Sequence, residues 1–151
     1  MKLYYYRFWK KAFDFSGRSQ RSEFWIAFII NHLLGWGLLF SPILKIVFGI
    51  IIIIPSISLS VRRLHDTGKS GKLLLFPFIM AIIALLFFLL NKDTNNIVFG
   101  LLGSFFGILE IISGIWLFVL IGFIDSDKKE NKYGKNPKKE DIKDLYNKKI
   151  K

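Results

Sequence analysis

Four apolar blocks in a 151-residue chain constrain the fold more than any other feature. Phe24–Phe40, Ile43–Val61, Leu73–Leu90 and Ile97–Ile124 carry almost no charge, whereas the segments around them are rich in it. A hydrocarbon core about 30 Å thick takes roughly 20 helical residues to cross. Backbone amides cannot stay unpaired in lipid, so apolar blocks of this length are read as helices. Buried helices of a soluble core would show a recurring polar face, and these blocks show none. The expected fold is an all-α membrane protein with four transmembrane helices, over about 24–41, 42–61, 73–90 and 97–124. The expected organisation is an N-terminal segment 1–23, a membrane domain 24–124 and a charged tail 125–151.

The first two blocks are nearly continuous, and Ser41-Pro42 separates them. Serine suits an N-cap, and proline suits the first helical turn, where its missing N–H costs nothing. The chain is expected to exit there and return as a helical hairpin. Pro55 is expected to kink the second span, with Ser56, Ser58 or a neighbouring helix pairing carbonyls that the proline frees.

Charge sets the orientation. The chain has a net charge of +11, and four spans place 20 of its 22 lysines and arginines on one side, leaving only Lys45 and Lys92 on the other. Basic residues near span ends stay in the cytoplasm. Both termini are therefore expected to be cytoplasmic, a topology that requires an even number of spans. The long basic head and the lack of a small-x-small site argue for an uncleaved first span rather than a signal peptide.

Before that span, "KLYYYRFWKKAFDF" places Tyr5, Phe8, Trp9, Ala12 and Phe13 on one helical face, with Arg7, Lys10 and Lys11 elsewhere. This pattern predicts an amphipathic helix in the headgroup region; the alternative is that the face packs on the protein's own loops. Gly17 then allows a turn. Ser19 is a candidate cap for the first span, although Ser22 stands where a capping box needs Glu or Gln. Trp25 sits where an interface anchor is expected.

"SVRRLHDTGKSGK", residues 60–72, is the most chemically varied stretch. A phosphate loop would need glycine at position 63, which is Arg63, and a strand before it rather than a membrane helix. His65 and Asp66 are adjacent and point apart on a helix, so neither a metal site nor a Ser/His/Asp triad is supported. No catalytic residue, metal ligand or cofactor is assigned; an enzyme acting on lipid headgroups through His65 and Asp66 is a distant third reading. Cysteine is absent, which excludes disulfides and thiolate chemistry. What remains is a short helical extension and a glycine-rich turn beside "GRSQRSEFW". Together these segments set Arg18, Arg21, Arg62 and Arg63 against Glu23 and Asp66. Such a cluster either pins helix ends or, with His65, binds lipid phosphates or a partner.

"GRSQRSEFW", "VRRLHDTGKSG" and "DSDKKENKYGKNP" resemble the three hallmark segments of a bacterial membrane family called domain of unknown function 805. The resemblance runs from about Phe13 to Pro137. It rests on Gly17, Arg18, Arg21, Glu23, Phe24 and Trp25, then on Arg62 to Asp66 with Gly68, Ser70 and Gly71. Asp125, Glu130, Asn131, Tyr133, Gly134, Asn136 and Pro137 carry the third segment. Departures from the family pattern are Lys72-Leu73 in place of an aromatic, Lys135 in place of a proline, and longer last spans. The resemblance implies a location in the bacterial inner membrane and no established activity.

The fourth block holds Gly100, Gly103, Gly107, Glu110 and Gly114 on one face. Gly103 and Gly107 form a small-residue pair that lets helices approach closely. Glu110 is an intramembrane carboxyl, costly and therefore a functional candidate. It is read either as a protonated hydrogen-bond donor joining helices or as part of a proton or ion path. Asn31 and His32 in the first span are candidate polar partners, although they lie nearer the cytoplasm.

The tail carries ten lysines and six acids in 27 residues. "KKEDIKDLYNKKI" is expected to form a short helix with Ile142, Leu145 and Tyr146 on one side. The interleaved acids argue against nucleic-acid binding. The leading reading is a non-enzymatic module that binds anionic lipid, another membrane protein or a second copy of itself. The alternative is a small transporter or ion-pathway component that uses Glu110.

Overall fold

A computed structural model of the chain describes residues 2–139. The short helix expected around Ile142, Leu145 and Tyr146 lies outside the described residues. The described residues form five α-helices and no strand beyond a single bridge between Asn131 and Gly134. They are α1 (Lys2–Lys10), α2 (Arg21–Gly37), α3 (Pro42–Asp66), α4 (Leu75–Thr94) and α5 (Ile97–Gly122). The chain divides into two compact units, Met1–Gly71 with Ile121–Lys151, and Lys72–Leu120.

Three helical segments are long and apolar enough to cross a membrane: Pro42–Asp66, Gly71–Thr94 and Ile97–Gly122. α2 has 17 residues, about 25 Å at 1.5 Å per residue, slightly short of a full crossing. The expected span over 24–41 therefore begins earlier and ends earlier than its apolar block. The cause at its far end is visible: Leu38–Phe40 form a turn, and the Leu38 N–H closes onto Leu34 O.

The hairpin breaks where Ser41-Pro42 predicts, with Ser41 extended at the N-cap and Pro42 inside the first turn. The Ser41 hydroxyl makes no cap hydrogen bond. α3 then runs unbroken through Pro55 to Asp66, so "VRRLHD" continues the apolar helix. Ser58 has a different role from the expected one. Its hydroxyl donates to Lys11 O and Asp14 O, beyond the end of α1, instead of to a carbonyl freed by the proline.

α1 packs on α2 and α3. Phe8 and Ala12 are buried, and the Tyr5 hydroxyl donates to Asn31 Oδ1 at 3.0 Å. Trp9, within α1, is partly outside the packed face, and Phe13 stays exposed because the helix ends at Lys10 and the chain turns before it. The aromatic face is thus divided between packing on the protein and an outer part.

In the second unit, α4 buries only Ala84. A helix that is apolar on every side and buries so little must be solvated by hydrocarbon. Phe87 stacks on Phe106, and a Cβ at Gly103 would lie 3.1 Å from the Phe88 ring. A Cβ at Gly107 meets nothing within 4 Å. Of the predicted glycine pair, only Gly103 is a close-packing position in this helix pair.

Candidate functional site: a buried arginine cap

A helix ends with carbonyls that have no partner within it. In lipid, or at its edge, those groups need donors. Three of the helices end in one polar cap within the first unit, and arginines supply much of what they need.

Beyond α1, the Lys11 and Asp14 carbonyls accept from Arg62 Nη1 at 3.0 and 3.2 Å. At the end of α5, three successive carbonyls are taken. Trp25 Nε1 donates to Gly122 O at 2.7 Å, Arg21 Nη1 to Phe123 O at 3.0 Å, and Arg63 Nη2 to Ile124 O. Cations at helix C-termini also complement the helix dipole. At the end of α3, Asp66 O accepts from Asp127 N at 2.9 Å, and His65 O accepts from Asn131 Nδ2 at 3.0 Å.

Arg18 is the hub. Its Nε donates to Asp66 Oδ1 at 2.9 Å. Its Nη1 reaches Lys129 O and Gly134 O, and its Nη2 reaches Asp127 O and Asp66 O. All five guanidinium N–H groups can be satisfied in this arrangement. Asp66 is fully buried and also receives Arg63 Nη1 at 2.6 Å and the Ser126 hydroxyl. A buried carboxylate is tolerable only with this much compensation. Arg62 and Arg63 have 0% exposure, so their guanidinium groups face the protein interior.

Glu23 pairs with Arg62 less tightly. Oε1 lies 3.6 Å from Arg62 Nη2, and neither atom has a hydrogen-bond partner among the described residues. Arg62 Nε and Arg63 Nε are likewise buried without one. Sites of this kind are where bridging water is accommodated.

Ser19 is not the cap of α2; Gln20 occupies that position, and Ser19 N donates to Arg62 O. Gly68 has φ +74°, so the turn after α3 favours glycine; a Cβ there would also displace the Asp127 carboxylate, whose Oδ2 lies 2.9 Å away. His65 Nδ1 donates to Gly17 O, 3.1 Å away, and its ring stacks on Tyr133 with centroids 3.7 Å apart.

The cap therefore brings together Arg18, Arg21, Glu23, Arg62, Arg63, His65 and Asp66, all named by the sequence. It adds Ser58, which the sequence assigned to carbonyls freed by Pro55, and Ser126, Asp127, Asn131 and Asn136, which lie in the third family-like segment without an assigned contact. The signal for the last four was their lying within or beside the third family-like segment. Asn136 Nδ2 donates to Asp127 O at 2.8 Å, tying that segment to itself.

The intramembrane candidates lie elsewhere. Asn31 is engaged by Tyr5, and His32 is exposed, with Nδ1 at 2.8 Å from Phe28 O and its ring against that of Phe28. Glu110 belongs to the second unit and is half-buried on α5, where its backbone carbonyl accepts from the Ser113 hydroxyl. Among the described residues no group of three or more His, Cys, Asp or Glu is placed to hold a metal ion.

Membrane-length helices joined to a polar cap built on buried arginines define a multi-span integral membrane protein. The chain belongs to the bacterial family described as "Protein of unknown function (DUF805)", whose model matches residues 12–135. It is 35% identical over 102 residues to inner membrane protein YhaI of Escherichia coli (strain K12), covering 60% of this chain and 86% of that protein. It is 31% identical over 99 residues to inner membrane protein YhaH of the same organism, covering 56% of this chain and 82% of that protein. The chain matches no solved structure.

Proposed function

We propose that this chain is a non-enzymatic, four-span inner-membrane module with both ends in the cytoplasm, binding anionic phospholipid through lysines on the rim of its arginine cap. The observation that carries the reading is the meeting of three helix ends in one place. The first turn of α2, the last turn of α3 and the last turn of α5 are joined through Ser19–Arg62, Trp25–Gly122 and Arg63–Ile124. If α3 crosses the bilayer, α2 begins on the side where α3 finishes and must run the same distance. That supports a crossing by α2 despite its length, with the Leu38–Phe40 turn completing it. The same end collects the basic excess, so the charge rule puts it in the cytoplasm.

The arginines are occupied in holding the cap. Lys128, Lys129 and Lys135 are exposed around it, and each lysine near an anionic leaflet adds about 1 kcal/mol of attraction. In this reading the arginines position, and the lysines bind. The outer residues of the N-terminal segment, Trp9 and Phe13, lie at the same interface.

The test is native mass spectrometry of the gently extracted chain beside a Lys128→Gln/Lys129→Gln/Lys135→Gln variant. The parent should retain phosphatidylglycerol or cardiolipin, and the variant should lose it. Equal retention by the two would sink the lipid reading and turn attention to a protein partner. An Arg62→Gln/Arg63→Gln variant is unsuitable, because removing buried cap donors disturbs the fold itself.

A further inference from the structure

A second surface feature of the cap is unlike the lysine rim. The loop after α1 and the turn at Lys132-Tyr133 enclose an open groove of about 750 Å³, lined in part by Phe13, Asp14, Phe15, His65, Lys132 and Tyr133. Small-molecule and headgroup-sized ligands occupy sites of about 300–1,000 Å³. The groove carries one charge of each sign among aromatic walls.

The two charges are built differently. Asp14 Oδ1 accepts from the backbone N–H of Ser16 at 3.0 Å and from its hydroxyl. Those bonds, the hydroxyl first, hold the Asp14 carboxyl below the usual carboxylate range, so it is ionised at neutral pH. Oδ2 has no hydrogen-bond partner among the described residues. Lys132 is exposed, and its ammonium sits 5.0 Å from the centre of the Tyr133 ring. That ring is itself fixed by stacking on His65. Phe13 and Phe15 are 78% and 43% exposed. Asp14 Oδ2 is an acceptor that a primary ammonium can use and a quaternary one cannot, because only the former carries N–H groups to donate; a lysine at the same groove supplies a counter-charge for phosphate.

We propose that this groove binds the headgroup of a zwitterionic phospholipid of the ethanolamine class, its ammonium on Asp14 and its phosphate on Lys132, with Phe13 and Phe15 against the glycerol and upper acyl chains. The assignment rests on the reading that the cap lies at a leaflet surface. It differs from the lysine rim in the lipid chosen. An anionic headgroup without an amine satisfies Lys132 but meets repulsion from Asp14, so the groove selects against it.

The experiment reconstitutes the full chain in nanodiscs holding equal phosphatidylethanolamine, phosphatidylcholine and phosphatidylglycerol, extracts it, and counts retained lipids by native mass spectrometry. The parent is compared with Asp14→Asn, Lys132→Gln and the rim triple variant, each first checked for an unchanged unfolding temperature. Asp14→Asn keeps the Oδ1 acceptor for Ser16 and removes only the charge. Loss of one charge-assisted contact should lower retained phosphatidylethanolamine about tenfold in either single variant. Phosphatidylglycerol retention should not fall in Asp14→Asn, because the rim lysines are intact and the repulsion at the groove is removed. Retention of phosphatidylethanolamine equal to the parent in Asp14→Asn, or equal retention of phosphatidylcholine and phosphatidylethanolamine by the parent, overturns the groove assignment. Unchanged phosphatidylglycerol in the triple variant overturns the rim reading alone.

Discussion

Asp66 carries more of the cap than any other residue. It is fully buried, and its carboxylate receives Arg18, Arg63 and Ser126 at once. Asp66→Asn removes the charge that two buried guanidiniums were placed to meet and puts an amide N–H₂ where a donor already points. Breaking a buried pair from one side costs about 3–5 kcal/mol. The expected outcome is a large drop in unfolding temperature in detergent, followed by circular dichroism. Glu23→Gln is the matched control. Its contact with Arg62 is 3.6 Å, beyond hydrogen-bond length, and the Arg62 Nη1 carbonyl partners remain. A loss of about 1 kcal/mol is expected there. Equal losses in the two variants would mean that the two ion pairs have equal weight and that the geometry misleads. Gly68→Ala should fall between them: the positive φ resists the methyl, and such strain is worth about 1–3 kcal/mol.

The elements were legible to unequal degrees, for reasons that lie in their side chains. The break at Ser41-Pro42 and the long helices were readable because apolar run length and one proline decide them locally. The pairing of Arg18, Arg62 and Arg63 with Glu23 and Asp66 was readable because opposite charges at one membrane edge have few alternatives. Which arginine takes which partner was not, since that depends on where α5 ends. Residues 125–137 read as tail because their composition is charged and turn-rich. Their order comes from contacts that the local sequence cannot reveal: backbone carbonyls at Asp127, Lys129 and Gly134 given to a distant arginine. The Ser58 hydroxyl was assigned to its own helix, whereas the nearest orphan carbonyls belonged to the end of the N-terminal segment. The indole bond from Trp25 to Gly122 gives an element-scale test. Gly122 is where α5 meets α2; a Cβ there would lie 3.1 Å from the Trp25 ring. Trp25→Phe keeps an aromatic ring but leaves the Gly122 carbonyl without its donor. A destabilisation of about 1 kcal/mol is expected, together with faster amide hydrogen exchange over the last turn of α5. Unchanged exchange there would show that the carbonyl finds another donor.

Topology is the question at the scale of the whole molecule, and the chain is suited to answering it because it contains no cysteine. Any single cysteine introduced is the sole thiol, so labelling by a membrane-impermeant maleimide reports one position without correction. Two readings of α2 compete physically. Its 17 residues could lie shallowly with α1 on the cytoplasmic face, giving three crossings and termini on opposite sides. Or α2 crosses, and the turn before Pro42 emerges on the far side. The joined ends of α2, α3 and α5 favour crossing, because a shallow α2 would have to diverge from α3 immediately after the cap. Yet α2 packs on α3 as well as on α1. Four exposed positions decide the matter: Leu3→Cys in α1, Phe40→Cys before α3, Asn96→Cys between α4 and α5, and Lys135→Cys in the cap. In intact spheroplasts the Phe40 and Asn96 variants should label and the Leu3 and Lys135 variants should not; lysis should release labelling of Leu3→Cys and Lys135→Cys. Protection of both Phe40 and Asn96 until lysis, with labelling of Lys135→Cys and protection of Leu3→Cys in intact spheroplasts, would place α2 on the cytoplasmic surface. The N-terminal aromatic face would then lie beside it as a second surface helix, and the fourth crossing would be lost. Labelling of both Leu3→Cys and Lys135→Cys in intact spheroplasts would invert the whole chain, moving the arginine cap and its lysine rim to the outer leaflet against the charge rule.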